Sequence, residues 1–446
     1  MHRRRHRNGS KTLKTTAKRK GKRKPVRQTS LHVKRKRKGK KKSLRPLTRK
    51  HKLKRRRPQK SRKRRSAAAS SSRTAQPAAG VNLVGYTRAE MGLGEGARFL
   101  ARAMDTVGIP FGVNNFELGN SARMEDWSWA HREQADNPYR VNLIHINGDQ
   151  MRLVREHYGE EFFRNRYNIG YWAWELTELP EEWNDGFTWL HEIWTPSPFV
   201  RDTIAKSTAL PVHYVPYGLQ FDSTCDRTEV RSRLALPWHS FLFLVMYDVN
   251  STALRKNPQG AIEAFKQAFA PADPNVGLVV KINNAQSNSA EVDQLRAALA
   301  EYPNIFLIEQ TLSRSDVYAL IDSCDVFVSL HRSEGFGSVM AESMYLGKPV
   351  IGTLWSGNTS FMNPENCCAV GYTLQEIGEG AGPYKAHQIW AEPDLVQAAG
   401  YMQRLAADEP WRRQVASAGQ QTIRSLLTPE ASGQAIRQRL TELGLL

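Results

Sequence analysis

Glu334 and Glu342 stand eight positions apart within Leu330-His-Arg-Ser-Glu-Gly-Phe-Gly-Ser-Val-Met-Ala-Glu-Ser-Met-Tyr-Leu-Gly-Lys-Pro-Val-Ile351. Two carboxylates held in a crevice can accept hydrogen bonds from a bound ligand. Spacing by itself carries nothing, because Glu117 with Glu125 and Glu301 with Glu309 are separated identically. The surroundings decide. Asp325 to Leu330 is an apolar, β-branched run, which predicts a buried parallel strand. Ser333 to Gly337 reads as a glycine-bearing loop, and Ser338 to Leu346 as a short helix closed by Gly347 at its C′ position. Lys348 to Ile351 begins the next strand. The first carboxylate therefore falls on a strand-to-helix loop and the second inside the helix. Both lie at the carboxyl end of a parallel sheet, where such folds bind ligands. An ordinary crossover with solvated glutamates is the plain alternative, but Glu-Gly-Phe-Gly wastes its glycines unless backbone must approach something closely.

The elements that must position this pair extend in both directions. Phe241 to Met246 is a continuous apolar run and so a buried strand. A polar loop, Tyr247 to Thr252, leads from it to Arg255-Lys-Asn-Pro258 at the start of a helix. Arg255 and Lys256 are adjacent, and adjacent helical residues point about 100° apart, so one of the two is expected to miss a shared ligand. Val279 to Ile282 is a further strand, with Lys281 as a third cation towards the cleft. Earlier in the chain, a strand over Val81–Tyr86 is followed by Met91-Gly-Leu-Gly-Glu-Gly96 and a helix with Ala97, Leu100, Ala101 and Met104 on one face. Gly92 and Gly94 serve either close ligand approach or tight turning, and their spacing is not the G-x-G-x-x-G of dinucleotide folds. A second strand, Val141–Ile146, carries His145 near its carboxyl end, facing the cleft or a neighbouring helix. Trp172, Trp174 and Glu175 form an aromatic, acidic strand end suited to sugar stacking or to plain core packing.

The segment around Glu334 and Glu342, taken with Gly-Lys-Pro-Val-Ile, resembles the E-x7-E signature of the family-4 retaining glycosyltransferases. The resemblance spans roughly residues 81–446 and is densest over 241–362. It implies an α/β fold of two Rossmann-like domains facing a cleft (GT-B), with Val-Pro-Tyr-Gly-Leu at 215–219 as the hinge. It implies a nucleotide-sugar site in which Glu334 faces the sugar hydroxyls and Glu342 accepts hydrogen bonds from the ribose. Backbone N–H groups of Gly335, Phe336 and Gly337 would cradle phosphate at a helix start. Arg255 and Lys256 would grip the diphosphate, with Lys281 as a further donor-side cation. The glycine loop at Gly92 and Gly94 matches in position, and His145 matches a loop that often carries a functional histidine. The chain contains no Asp-x-Asp, the usual metal–nucleotide motif of the other large glycosyltransferase fold. No metal and no cofactor are expected; the nucleotide sugar is the co-substrate.

Composition separates two regions. Up to Gly80 there are 35 Lys and Arg and no Asp or Glu, while the remainder holds 30 basic against 43 acidic residues. Residues 1–65 are expected to be a disordered basic tail, since they have too little apolar surface to offset the entropy of ordering. Residues 66–80 read as a linker, 81–219 as an N-terminal Rossmann-like domain on the acceptor side, and 220–428 as a C-terminal domain on the donor side. Residues 429–446 read as a helix returning to the first domain. No stretch has the roughly 20 apolar residues of a membrane span. The four cysteines show no C-x-x-C spacing, which favours a reduced compartment with Cys324 buried.

The expectation is a retaining, metal-independent hexosyltransferase of polysaccharide biosynthesis, with mannosyl transfer as its more particular form. Its acceptor would be an envelope lipid, polysaccharide or protein. Its location would be cytoplasmic, with the tail docking on an anionic inner-membrane surface or on nucleic acid. The alternative is a nucleic-acid-binding protein that works through the tail and carries a degenerate glycosyltransferase-like body.

Overall fold

The computed structural model describes residues 76–221 and 226–446. The basic tail, Cys225 and all but the end of the linker lie outside the described residues. Two parallel six-stranded sheets form two lobes of one compact unit. In the first lobe β1 (Ala78–Gly85), β2 (Phe111–Asn115), β3 (Tyr139–His145), β4 (Tyr167–Tyr171), β5 (Glu192–Thr195) and β6 (Val212–Tyr214) lie in the order β2-β1-β3-β4-β5-β6. In the second, β7 (Phe241–Asp248), β8 (Val276–Asn283), β9 (Ile305–Ile308), β10 (Val326–Ser329), β11 (Val350–Thr353) and β12 (Cys368–Val370) lie in the order β12-β11-β10-β7-β8-β9. Every pairing within these sheets is parallel. The apolar runs read from the sequence are the buried strands, covered by helices on both faces, as parallel sheets require.

Strand order locates the crevices. In the second sheet β7 and β10 are neighbours, and the chain winds outward in opposite directions from them. The gap between their carboxyl ends is the switch point at which such sheets hold ligands. In the first sheet the corresponding neighbours are β1 and β3.

Two features differ from expectation or were not anticipated. The first strand begins at Ala78 rather than Val81, so the end of the assigned linker is sheet; Ala78 N donates to the Pro138 carbonyl at 3.0 Å. An antiparallel hairpin, β13 (Tyr372–Glu376) and β14 (Ile389–Pro393), follows the second sheet. β13 is only five residues long, and although Tyr372 and Leu374 alternate with Thr373 and Gln375, all five are exposed. The hairpin reaches the first lobe: Tyr384 and Trp390 join the core cluster containing Trp174 and Trp183, and Gln388 Nε2 donates to the Glu178 carbonyl at 3.1 Å. The last helix, Pro429–Glu442, packs on the helix Gly92–Thr106 of the first lobe. Arg439 pairs there with buried Glu192 at 2.7 Å, and Ser432 Oγ donates to the Pro216 carbonyl at 2.6 Å. Among the described residues no helix is long and apolar enough to cross a membrane. Cys324, Cys367 and Cys368 are buried and unpaired.

Candidate active site

Two connections meet at the switch point of the second sheet. After β7 the chain forms a single helical turn, Ala253–Lys256, and then Asn257 adopts a left-handed conformation at φ 50°. Asn257 locks the corner from both sides. Its Oδ1 accepts from Gly260 N at 3.1 Å at the start of the helix Pro258–Ala268, and its Nδ2 donates to the Leu330 carbonyl at 2.8 Å. After β10 the chain runs through Leu330–Gly337 into the helix Ser338–Tyr345. Gly337 sits at φ 91°, a conformation glycine adopts without strain. Gly357 is needed for proximity: a Cβ there would stand 2.0 Å from the Gly335 carbonyl oxygen. The loop around Gly357 thereby grips Glu334 by its backbone. Glu334 N donates to Ser356 Oγ, and Gly357 N donates to the Glu334 carbonyl, both at 2.8 Å.

This corner brings Arg255, Lys256 and Glu334 together. Lys256 Nζ lies 2.5 Å from Glu334 Oε1, and Arg255 Nη1 lies 3.2 Å from Oε2. The expectation that adjacency would send one cation elsewhere is corrected: both converge, because the helix turn ends at once and Asn257 redirects the chain. Arg255 is also a scaffold. Its Nη1 donates to the Ser333 carbonyl at 2.8 Å and its Nη2 to Ser251 Oγ at 2.9 Å, and Glu175 of the first lobe stands 3.5 Å away. Burial would raise the Glu334 pKa, but Lys256 and then Arg255 outweigh it and hold the group at about 2. It is a fixed negative charge, 8% exposed. Among the described residues the N–H groups of Gly335, Phe336 and Gly337 make no hydrogen bond. They are free donors at a helix start beside two cations, an arrangement suited to an anion.

Glu342 is wholly enclosed, inside the helix Ser338–Tyr345. Arg314 Nη2 donates to its Oε1, while its Oε2 has no partner. Burial pushes its pKa up to about 7 in spite of Arg314. Arg314 is shared: its Nε is 3.4 Å from Glu95 Oε2 in the first lobe, where Arg98 also pairs with Glu95 at 2.6 Å. Tyr318 Oη donates to Glu95 Oε1 at 2.8 Å. Glu95 belongs to the glycine loop's helix, so that loop reaches the second lobe through a buried carboxylate.

Several expected site residues have other duties. His145 is fully buried, stacked on Tyr171 with centroids 4.9 Å apart and bonded to the Tyr217 hydroxyl at 2.8 Å. Burial lowers its pKa to about 4; its Nε2 is taken by Tyr217, and its Nδ1 is buried without a partner. Gly94 abuts backbone: a Cβ there would stand 2.1 Å from the Ala89 carbonyl oxygen. Its role is tight turning, whereas nothing lies within 4 Å of a Cβ at Gly92. Lys281 is turned into the protein rather than the cleft, donating to the Ile282 carbonyl at 3.0 Å and to Asn283 Oδ1 at 2.5 Å. The Phe336 ring packs against Tyr217 and Phe361, so only its backbone faces the candidate anion site. Trp172 and Trp174 are core residues; Trp174 Nε1 donates to the Glu178 carbonyl at 2.7 Å. His331, three residues before Glu334, went unremarked in the sequence. It is fully buried with both ring nitrogens unpartnered, and burial lowers its pKa to about 4. Among the described residues no group of three or more His, Cys, Asp or Glu is placed to hold a metal ion.

Residues 243–373, which include this whole corner, match the family model of glycosyl transferases group 1. No curated protein sequence matches the chain. Among solved structures, HepE of Anabaena in complex with UDP-glucose aligns with a TM-score of 0.59 at 14% identity, covering 82% of this chain and 100% of that one. Sucrose-phosphate synthase from Thermosynechococcus elongatus gives 0.58 at 16% identity, covering 82% and 99%. A glycosyltransferase from Rickettsia africae gives 0.55 at 12% identity, covering 82% and 98%. The two-lobed architecture is the GT-B fold, and the match to the group 1 glycosyl transferase model falls in its second lobe.

Proposed function

We propose that the chain is a retaining glycosyltransferase of the family-4 type that moves a hexosyl group from a nucleotide-diphosphate sugar without a metal ion. The observation that carries the reading is the convergence of Arg255, Lys256 and Glu334 beside free N–H groups at the sheet's switch point. As the bond between the sugar C1 and the β-phosphate oxygen breaks, negative charge grows on the leaving diphosphate. Lys256, a quarter exposed, and the Gly335–Gly337 amides are aimed where that charge develops. Arg255 holds the two loops together and adds its charge from behind. Glu334 keeps its carboxylate ionised, suited to orienting sugar hydroxyls and an oxocarbenium-like centre rather than to acting as a nucleophile. The acceptor hydroxyl attacks C1 on the face the diphosphate leaves, and its proton passes to the departing phosphate oxygen. Contacts across the lobes, including Ser197 Oγ to the Gly335 carbonyl at 2.7 Å, exclude competing water. Glu342, with one oxygen unpartnered, suits a ribose hydroxyl once Arg314 yields.

A panel of nucleotide sugars tests this by release of nucleoside diphosphate and by the anomeric configuration of product. One donor should be turned over with retention, and chelator should not stop it. Inversion, or strict need for a divalent ion, would refute the mechanism. The tail, with 34 Lys and Arg in its first 65 residues, supports a locating role on an anionic membrane or polymer.

A further inference from the structure

The hairpin of β13 and β14 leaves one sheet edge open. β14 is held on both sides: it pairs with β13, and Ala391 N donates to the Arg332 carbonyl at 2.9 Å. Among the described residues β13 has a neighbouring strand on one side only. The register shows which of its groups face outward. The Gly371 carbonyl accepts from Asp394 N, and Ile377 N donates to the Gln388 carbonyl, both at 2.9 Å. The odd-numbered residues therefore turn their backbone groups towards β14, and Tyr372, Leu374 and Glu376 turn theirs away. Among the described residues none of these outward N–H and C=O groups has a partner.

Native edges are ordinarily blunted by lysine, proline or a bulge. Tyr372-Thr-Leu-Gln-Glu376 has none of these, and its register with β14 is unbroken. The side chains supply a second observation. Directly paired residues share a face, so Tyr372, Leu374 and Glu376 lie on one face with Ile389. Tyr372, Leu374 and Ile389 are 38%, 52% and 42% exposed, three of the nine exposed large apolar side chains among the described residues. An apolar cluster beside unpaired backbone groups marks a surface that another chain covers.

The strand fits a copy of itself. Three outward residues place Leu374 at the centre. A two-fold axis there sets two antiparallel β13 strands in a register that gives every outward N–H an outward C=O. Leu374 then meets the partner's Leu374, Tyr372 the partner's Glu376, and Thr373 the partner's Gln375. No like charges meet across the strands, and the apolar face continues over the axis to both Ile389 side chains. We infer that β13 is a dimer edge, at which two copies of this chain join their hairpins into one four-stranded sheet. The inference is independent of the glycosyl-transfer reading. It still bears on the candidate site, because the same hairpin carries Tyr384, whose Oη donates to Glu175 at 3.1 Å beside Arg255. A strand pair alone buries less than the roughly 800 Å² per partner of a lasting interface, so the dimer should be weak, with Kd on the order of 10 μM.

The test is sedimentation velocity of the full-length protein from about 1 to 200 μM, a range that brackets that Kd. Wild type should pass from one chain to two as concentration rises. Leu374→Lys sets two lysines across the axis and Leu374→Glu two glutamates, so each alone should weaken the dimer about tenfold or more. An equimolar mixture of the two variants sets lysine against glutamate and should restore the dimer to within about threefold of wild type. Leu374 is half exposed, and thermal melting checks that both variants are folded. A monomer across the whole range would give the edge to another occupant, such as an extended peptide, and overturn the proposal. A dimer that neither variant weakens, as attraction between one copy's basic tail and another's acidic body would give, overturns it as well. So do two weakened variants that mixing fails to restore.

Discussion

Glu334 and Glu342 are both enclosed and belong to one short segment, yet their surroundings give them opposite characters. Glu334 lies on a loop between two cations, is held at about 2, and has both oxygens paired. Glu342 lies in the helix with only a shared arginine, is pushed up to about 7, and keeps one oxygen open. A carboxylate with two local cations stays charged in a dry site, while one whose cation also serves Glu95 does not. On the proposed reading the first acts on a reacting centre of developing charge, and the second exchanges its partner for a ligand hydroxyl.

Glu334→Gln should break this contrast most severely. Turnover should fall about a thousandfold or more, as for loss of a group acting in the transition state. Two cations would lose their counter-charge, so melting should also reveal a loss of order 3 kcal/mol. Lys256→Ala should lower kcat about a hundredfold, as for removal of one charge-stabilising donor, with the fold retained. Arg255→Ala should lower both turnover and melting temperature, because Ser333, Ser251 and Glu175 lose their common partner. Steady-state kinetics beside thermal melts separates the two. Equal, negligible effects would move the diphosphate elsewhere.

Glu342→Gln should sharpen the comparison by acting mainly on binding. Donor KM should rise about tenfold with kcat nearly unchanged, since ribose contacts are common to ground and transition states. Its stability effect carries a sign. The carboxyl ionises at 4.5 in the unfolded chain and about 7 in the folded one. The folded form therefore binds the proton more tightly, and wild-type stability is eroded as pH rises between those values, by up to about 3 kcal/mol. Glutamine is neutral throughout and escapes that loss. Urea melts at pH 5 and pH 8 should show the variant gaining on wild type at the higher pH; a gain at the lower pH would reverse the assignment. Lys281→Met should have the smallest effect, less than about threefold in turnover, because its ammonium faces the protein rather than the cleft.

Much of the second lobe was readable from the chain alone because local pattern suffices there. Val326–Ser329 is a buried run, Gly347 takes φ 70° where a C′ glycine was expected, and Glu334 falls on the loop between them. What could not be read was the meeting of distant side chains. Nothing in Arg255-Lys-Asn-Pro258 says that Asn257 turns left-handed and sends both cations to Glu334. Arg314 and Glu95 are on different lobes, and their contact is a product of closure. His145 was placed in the correct strand with its facing left open, because a histidine at a strand end has the same sequence whether it faces a ligand or Tyr217. The hairpin was missed because its strands are five residues each and twelve residues apart, too short and too far separated for a local turn signal to pair them.

The most direct test of the central claim is nucleoside diphosphate release by the full-length protein from a panel of nucleotide sugars, compared with Glu334→Gln under identical conditions and with chelator present. One donor should be turned over by the wild type in chelator, and the variant should lose at least about a thousandfold of that turnover. Undiminished turnover in Glu334→Gln, or release from no nucleotide sugar at all, would contradict the account.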